Sequence, residues 1–328
     1  MRKLKSLFRV VMVTAVLTGC AKEQGYERCE GMVWNTLYHV TYKGPAGLQD
    51  SIMPVLNKVG ASLSVFDPNS LVSRLNASDS VVADESLIAV YDASERINRQ
   101  SNGRFDPTVS PLVDAWGFGK GHRPSADTLA IDSIRKFIGI GLTRREGTII
   151  IKDDRRTAFN FSAIAKGFGC DAVGEMLTRN GVKDFMVEIG GEITLKGKSP
   201  SGGDWKIGVD TPDEDNNSGE SSSVILELTD VGMATSGNYR NYRVENGRKT
   251  AHTISPLTGM PYFSDILSAT VIAATCMEAD GLATACMAGT PDEALQLLKE
   301  TNAEGLLILS DTIIMTPGMK KYRAFGAI

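Results

Sequence analysis

The chain has 328 residues, of which 42% are hydrophobic and 23% charged, and its formal net charge is −4. That is enough length for one large domain or two small ones, with an ordinary globular composition. The acidic balance argues against a nucleic-acid-binding surface, and three histidines (His39, His122 and His252) without an HxxxH spacing argue against a zinc hydrolase.

The first residues read as a targeting segment. Arg2, Lys3, Lys5 and Arg9 form a basic stretch before the apolar run at 10–17, VVMVTAVL, which is too short to span a bilayer. It ends in Leu17-Thr18-Gly19-Cys20, which resembles a bacterial lipoprotein box with Cys20 as the lipidated residue. An ordinary signal peptide with an incidental cysteine is the simpler alternative. On the lipoprotein reading, 1–19 is a signal peptide, 20–30 a lipidated tether and 31–328 the folded domain. That domain is then a membrane-anchored lipoprotein of the cell envelope, facing the periplasm or the exterior. More than one acyl chain is expected, because a single chain binds only marginally. Removing 1–19 takes away four positive and no negative charges, which moves the formal charge from −4 to −8. Cys29, Cys170, Cys276 and Cys286 form no CxxC pair, and the last three sit among apolar or small residues, so they read as buried free thiols.

Along the chain, 34–42 (WNTLYHVTY) alternates and reads as a strand, and 46–63 and 84–101 have helical periodicity. Between them 66–76 is turn-rich, and a loop with Gly103, Pro107 and Pro111 follows. Residues 127–139 suggest a helix; 148–154 (TIIIKDD) and 157–161 (TAFNF) suggest a hairpin; 162–179 suggests a helix ended by Asn180-Gly181. Short strands are expected in 185–197, 205–212, 223–237, 239–250 and 266–275, at the spacing of an antiparallel sheet. A small-residue helix around Asp280 and another at 291–300 come next, then strands at 305–310 and 312–316. The acidic, low-complexity stretch 212–223 reads as a disordered loop between strands. Strands and helices mix without regular βαβ alternation, so the expected class is α+β, a largely antiparallel sheet with flanking helices, in one domain.

Common site signals fail. Gly117-Phe118-Gly119 lacks the strand-to-helix context of a Rossmann turn, and there is no P-loop and no G-x-S-x-G elbow. Glu188 and Glu192 in EIGGE offer a carboxylate pair, but two glycines between strand-like runs are more simply a tight turn.

Six stretches stand out in order: SVFDPNSLVSRLN (64–76), GRFDPTVSPLVDAWGFG (103–119), FNFSAIAKGFGCDAV (159–173), ATSGNYRNY (234–242), HTISPLTGMP (252–261) and ATCMEADGLATA (274–285). Together they resemble the FAD:protein FMN transferase family, also called ApbE, from about Gly31 to the C-terminus. The resemblance implies an α+β fold and an Mg²⁺-dependent enzyme. Such an enzyme cleaves FAD at its pyrophosphate, transfers FMN to a threonine or serine hydroxyl of a target flavoprotein as a phosphoester, and releases AMP. The partner it implies is an exported or membrane redox flavoprotein. Two alternatives use the same residues: a FAD pyrophosphatase giving FMN and AMP, and a non-catalytic FAD-binding lipoprotein.

Residue by residue, Asp280 and Thr284 are four apart and share a helix face, and the resemblance places both at the metal. It adds Ala163, which has only its backbone carbonyl to offer. The local alternative for Asp280 is a helix N-cap. Some relatives carry a second Asp where this chain has Ala283, so a sparse site is expected, completed by phosphate and water. For FAD the resemblance implies Trp34, Phe66, Arg104, Phe105, Asp106, Asn160, Lys166 and Thr253. Asn160 replaces a usual Asp, keeping an acceptor without the charge. Lys166 suits a pyrophosphate. Trp34 and Phe66 read equally as core aromatics. His252 is the candidate general base, because imidazole titrates near neutrality; Ser255 stands where the family often has Asp. A structural histidine is the alternative. TSGNYRNY is expected only to shape the substrate side.

Overall fold

Alternation at the start of the chain reaches further back than the sequence analysis places it. YERCEGMV forms strand β1 (Tyr26–Val33), paired antiparallel along its whole length with β2 (Thr36–Lys43). The folded domain therefore includes Tyr26–Glu30, part of the stretch expected to be a tether. The turn between the strands is made by Trp34 and Asn35, both at positive φ. The computed structural model describes residues 25–118, 128–210, 223–237, 242–245, 248–251 and 253–322. Cys20, His252 and the acidic stretch 212–223, except Ser223 at the start of a strand, lie outside the described residues.

Helices α1 (Ile52–Leu63), α2 (Leu71–Ala77) and α3 (Glu85–Gln100) follow, with β3 (Ser80–Val82) between the last two. Short helices α4 (Ser110–Ala115) and α5 (Thr128–Arg135) come next. The expected hairpin of 148–154 with 157–161 is different in fact. β4 (Thr143–Glu146) pairs with β5 (Ile149–Lys152), which also takes β3. Residues 157–161 are not a strand, because their backbone is engaged elsewhere. Asn76 Nδ2 donates to the Phe159 carbonyl at 2.8 Å and Asn76 Oδ1 accepts from the Phe159 N–H at 2.7 Å. Phe159 and Phe161 stack in the core at 5.3 Å.

Helix α6 (Ala165–Arg179) leads into β6 (Phe185–Ile189) and β7 (Glu192–Lys196), joined by Gly190-Gly191, both at positive φ. The remaining elements are β8 (Trp205–Asp210), β9 (Ser223–Leu228), β10 (Gly232–Gly237), β11 (Tyr242–Glu245), β12 (Arg248–Ala251), β13 (Ile266–Ala273), α7 (Cys276–Met287), α8 (Pro291–Glu300), β14 (Glu304–Leu309) and β15 (Ile313–Met315).

The main sheet has the order β1-β2-β6-β7-β10-β13-β14-β15, and its described pairings are all antiparallel. This is the expected α+β class. One face carries the helices: α1 and α6 pack over Val40, Tyr42 and Val187, and α3, α7 and α8 over Ala234, Val271 and Leu307. The β8–β9 ribbon covers the other face, through Trp205, Ile207 and Leu226 against Ile193, Met233 and Ile272. Strand periodicity decides which residue faces which layer: Ile193 and Leu195 go to the ribbon, and Glu192 and Thr194 to the helices.

Helix α7 sits at the centre. Its small residues Ala279, Gly281, Ala283 and Ala285 are buried, and they let α6, α3 and the sheet approach closely. At Gly167 of α6 an added Cβ would lie 2.4 Å from the Cys276 carbonyl oxygen. Cys170, Cys276 and Cys286 are buried free thiols and Cys29 is half-buried. Among the described residues no helix is long and apolar enough to cross a membrane.

Candidate active site

The start of α7 explains what Asp280 is free to do. Thr275 is the N-cap, accepting from the Glu278 N–H. Asp171 of α6 accepts from the Cys276 and Met277 N–H groups at 3.0 and 2.8 Å, and from Thr194 Oγ1. With the orphan donors of the first turn satisfied by these groups, Asp280 is not a cap. It lies one turn further on, 4% exposed, on the wall of a cleft of about 860 Å³.

Around it the structure assembles three oxygens. Asp280 Oδ2 accepts from the Gly167 N–H at 3.0 Å. Thr284 Oγ1, one turn along α7, is 3.5 Å from the Ala163 carbonyl oxygen and 3.3 Å from Ser236 Oγ. Asp280, Thr284 and Ala163 all line the cleft. Lys166, from the first turn of α6, reaches the same wall and pairs with Glu192.

Glu192 is the member whose place sequence reasoning did not find. The Gly190-Gly191 turn is real, yet the residue after it points inward. Glu192 is 3% exposed, with one carboxylate oxygen on Lys166 and the other, Oε2, buried without a hydrogen-bond partner among the described residues. Burial and then the nearby Asp280 charge push its carboxyl up to about 8, against the pull of Lys166. Burial likewise raises Asp280, opposed by Lys166 and the Gly167 N–H. Burial alone would lower the Lys166 ammonium, but Glu192 and Asp280 outweigh it and the net shift is upward. The signal available in the sequence was the alternation of EITLK, which puts Glu192 on the same face as Thr194. Glu188, its partner in EIGGE, turns instead to His39 and the Gly191 N–H.

A hard divalent cation fits this wall. One carboxylate, one hydroxyl and one carbonyl are the oxygen donors that Mg²⁺ takes, with open positions for phosphate and water. The orphaned Glu192 Oε2 marks a buried acceptor beside them. Among the described residues no three His, Cys, Asp or Glu side chains cluster as a metal cage, so the donor set is a sparse one.

The residues expected at FAD divide. Arg104, Phe105, Asp106, Asn160, Lys166 and Thr253 line the cleft. Arg104 is held at the rim by Glu293 at 3.0 Å. Asn160 Oδ1 accepts from the Ser162 N–H, which shapes the loop that presents Ala163. Phe105 is 2% exposed and belongs mainly to the core. Asp106 has its carboxylate engaged by the protein: Thr108 N–H and Oγ1, Asn98 Nδ2 and Ile140 N–H all donate to it. Its place is that of a buried loop anchor rather than an acceptor for a nucleotide. Trp34 and Phe66 do not reach the cleft. Trp34 is wedged between helices α1 and α6, where an added Cβ on Gly60 or Gly169 would lie 2.9 or 2.6 Å from its ring. Phe66 is 76% exposed on the loop before α2.

Comparison with known proteins follows the same outline. The ApbE family model matches residues 34–307. The FAD:protein FMN transferase of Haemophilus influenzae is 33% identical over 342 residues, covering 98% of this chain and 98% of that protein. The one from Vibrio cholerae is 34% identical over 319 residues, 94% of this chain and 93% of its own. Among solved structures, the flavin transferase ApbE from Vibrio cholerae superposes with a TM-score of 0.82 at 31% identity, covering 91% of this chain and 99% of that one. The apo flavinyl transferase ApbE of Pseudomonas stutzeri gives 0.83 at 28% identity, covering 92% and 98%. With the match running from Trp34 on β1–β2 to Leu307 on β14, and so across the cleft and both helices that build its wall, the chain belongs to the ApbE family.

Proposed function

We propose that this protein transfers the FMN half of FAD to a threonine or serine hydroxyl of an acceptor flavoprotein, forming a phosphoester and releasing AMP, with Mg²⁺ at the pyrophosphate. The observation that carries the reading is the convergence of Asp280, Thr284, the Ala163 carbonyl and Lys166 on one wall of a single cleft. The relatives named FAD:protein FMN transferase support the choice of substrate and acceptor class.

Phosphoryl transfer depends mainly on positioning and on neutralising charge. Asp280, Thr284 and the Ala163 carbonyl are the residues that would hold Mg²⁺, which when bound offsets the pyrophosphate charge that repels an incoming oxygen. Lys166, fixed by Glu192, adds a positive group beside that wall. Arg104 adds a second at the rim. The acceptor oxygen bonds to the FMN phosphorus as the bond from that phosphorus to the bridging oxygen breaks; AMP leaves with the bridging oxygen. The hydroxyl proton goes to a base, a role assigned to His252 from its sequence neighbours alone. Asn160 and Thr253 line the cleft, and their role in this reading is to orient the nucleotide along it.

The reading extends to the N-terminus: Cys20 carries the lipid, and the domain works in the cell envelope on an exported or membrane redox flavoprotein. Replacing Cys20 with alanine should release the protein from membranes.

The test is to incubate the chain with FAD, Mg²⁺ and a candidate acceptor domain, then weigh the acceptor. An FMN-sized gain on one Thr or Ser supports transfer. Free FMN and AMP with unmodified acceptor supports a pyrophosphatase, and intact FAD supports binding alone.

A further inference from the structure

Among the described residues, the main sheet contains an opening. Strand β10 runs against β13 from Gly232 to Gly237, but against β7 only at Gly232 and Met233. The reason is that β7 begins at Glu192, directly after the Gly190-Gly191 turn. Past that point Thr235, Ser236 and Gly237 border the cleft, and no described residue continues the ladder along their β7 side.

The phase of the ladder says which groups face the opening. The Leu195 N–H donates to the Val231 carbonyl at 2.9 Å, which makes those two a hydrogen-bonded pair. Alternation then turns the N–H and C=O of Met233, Thr235 and Gly237 to the same side. The opposite edge agrees. Thr235 and Thr270 are partners in the β10–β13 ladder, and their hydroxyls meet at 2.9 Å, as in the closer non-hydrogen-bonded kind of pair. Thr235 and Gly237 thus offer two donors and two acceptors, about 6.8 Å apart along the strand. That is the repeat of another polypeptide strand.

We propose that this edge binds an extended segment of the acceptor protein as an added antiparallel strand, in line with β7, and so presents its hydroxyl to the site. The proposal rests on the transferase reading and specifies how the acceptor is held. Residues directly opposite each other in a ladder point to the same face. Ser236 points to the helix face, with its Oγ 3.3 Å from Thr284 Oγ1. The acceptor residue opposite Ser236 therefore brings its side chain to the wall formed by Thr284 and Asp280. Its oxygen forms the bond to the FMN phosphorus while the phosphorus–oxygen bond to AMP breaks, and its proton leaves to the base. The residue before it pairs through its main chain with Gly237 and the residue after it with Thr235, and beyond that the segment leaves the sheet, because Glu192 of β7 already lies opposite Ala234. Recognition of this kind reads an extended backbone and leaves side chains outside the pair free to vary.

The experiment uses the full chain with FAD and Mg²⁺, and nonapeptides randomised around a central threonine, read by mass spectrometry. Peptides that gain FMN are remade with one backbone N-methyl group at a time. The proposal predicts a period of two: methylation at either neighbour of the threonine lowers transfer at least tenfold, while methylation at the threonine or two residues away changes it less than threefold. Uniform loss at all positions, or no loss at the neighbours, overturns the added strand and leaves the transferase reading intact. No FMN on any peptide contradicts the transferase reading itself, and the added strand with it.

Discussion

The carboxylate of Asp280 accepts a hydrogen bond from the backbone N–H of Gly167 at 3.0 Å. This contact joins α7, which carries two of the proposed metal ligands, to α6, whose approach presents the third and whose first turn presents Lys166. It exists because neither helix has bulk at the crossing. Gly167→Ala would place a methyl group 2.4 Å from the Cys276 carbonyl oxygen and 2.9 Å from Asp280 Cβ. The helices must then separate, at a cost of about 1–3 kcal/mol. Urea unfolding should show that loss, and FAD turnover should fall with it; a variant with wild-type stability and turnover would refute the close crossing.

Asp280→Asn keeps the shape and removes the charge. Loss of about 3 kcal/mol of transition-state stabilisation corresponds to a hundredfold drop in turnover. Binding of FAD to the metal-free chain should change little. In the same metal-free state the variant should melt at a higher temperature than wild type, because a buried charge has been removed. Flavin fluorescence titration and thermal melts check the two halves separately.

The raised carboxyls set the sign of a pH effect. Burial holds Glu192 up to about 8 in the folded chain. Between its ordinary value near 4.5 and about 8, the folded state keeps a proton that the unfolded chain has lost. Stability of the metal-free protein should therefore fall as pH rises through that window, and the upward shift of Asp280 acts in the same direction. Urea midpoints measured from pH 5 to pH 8 should decline for wild type and decline less for Glu192→Gln. Equal slopes would contradict the placement of Glu192.

Asp171 caps α7 from a neighbouring helix. Asp171→Ala should cost about 1–2 kcal/mol, the range for a lost cap, and should loosen the helix that holds Asp280. Hydrogen exchange at the first turn of α7 should rise well above that of α8, which is capped independently by Thr290 and Glu293.

Much of this architecture was legible in the chain. Asp280 and Thr284 stand one helical turn apart, and the residues around them are too small to be an ordinary core face. Alternation marked β2, β6 and β7, and six ordered motifs carried the family resemblance. What was not legible depended on partners distant in sequence. Nothing in TAFNF says that Asn76 will take both backbone groups of Phe159 and prevent a strand. Trp34 has the chemistry of a flavin contact, but two helix glycines, Gly60 and Gly169, open a slot that seats it, partly buried, against the core. Asp106 looks like a ligand until Thr108, Asn98 and Ile140 are seen to fill its acceptor positions. Glu192 was hidden by its own turn: the glycines explained themselves, and although the alternation of EITLK groups Glu192 with Thr194, only the packing of α6 against β7 shows that this face is the inward one.

The central claim is that Asp280, Thr284 and the Ala163 carbonyl hold the cation that serves the pyrophosphate. A crystal structure of the chain with FAD and Mn²⁺ in place of Mg²⁺, with anomalous data collected at the manganese edge, tests it most directly. The account predicts one anomalous peak within about 2.3 Å of an Asp280 carboxylate oxygen, Thr284 Oγ1 and the Ala163 carbonyl oxygen, touching the pyrophosphate. A peak bound by other residues, with these three oxygens left to water, would contradict it.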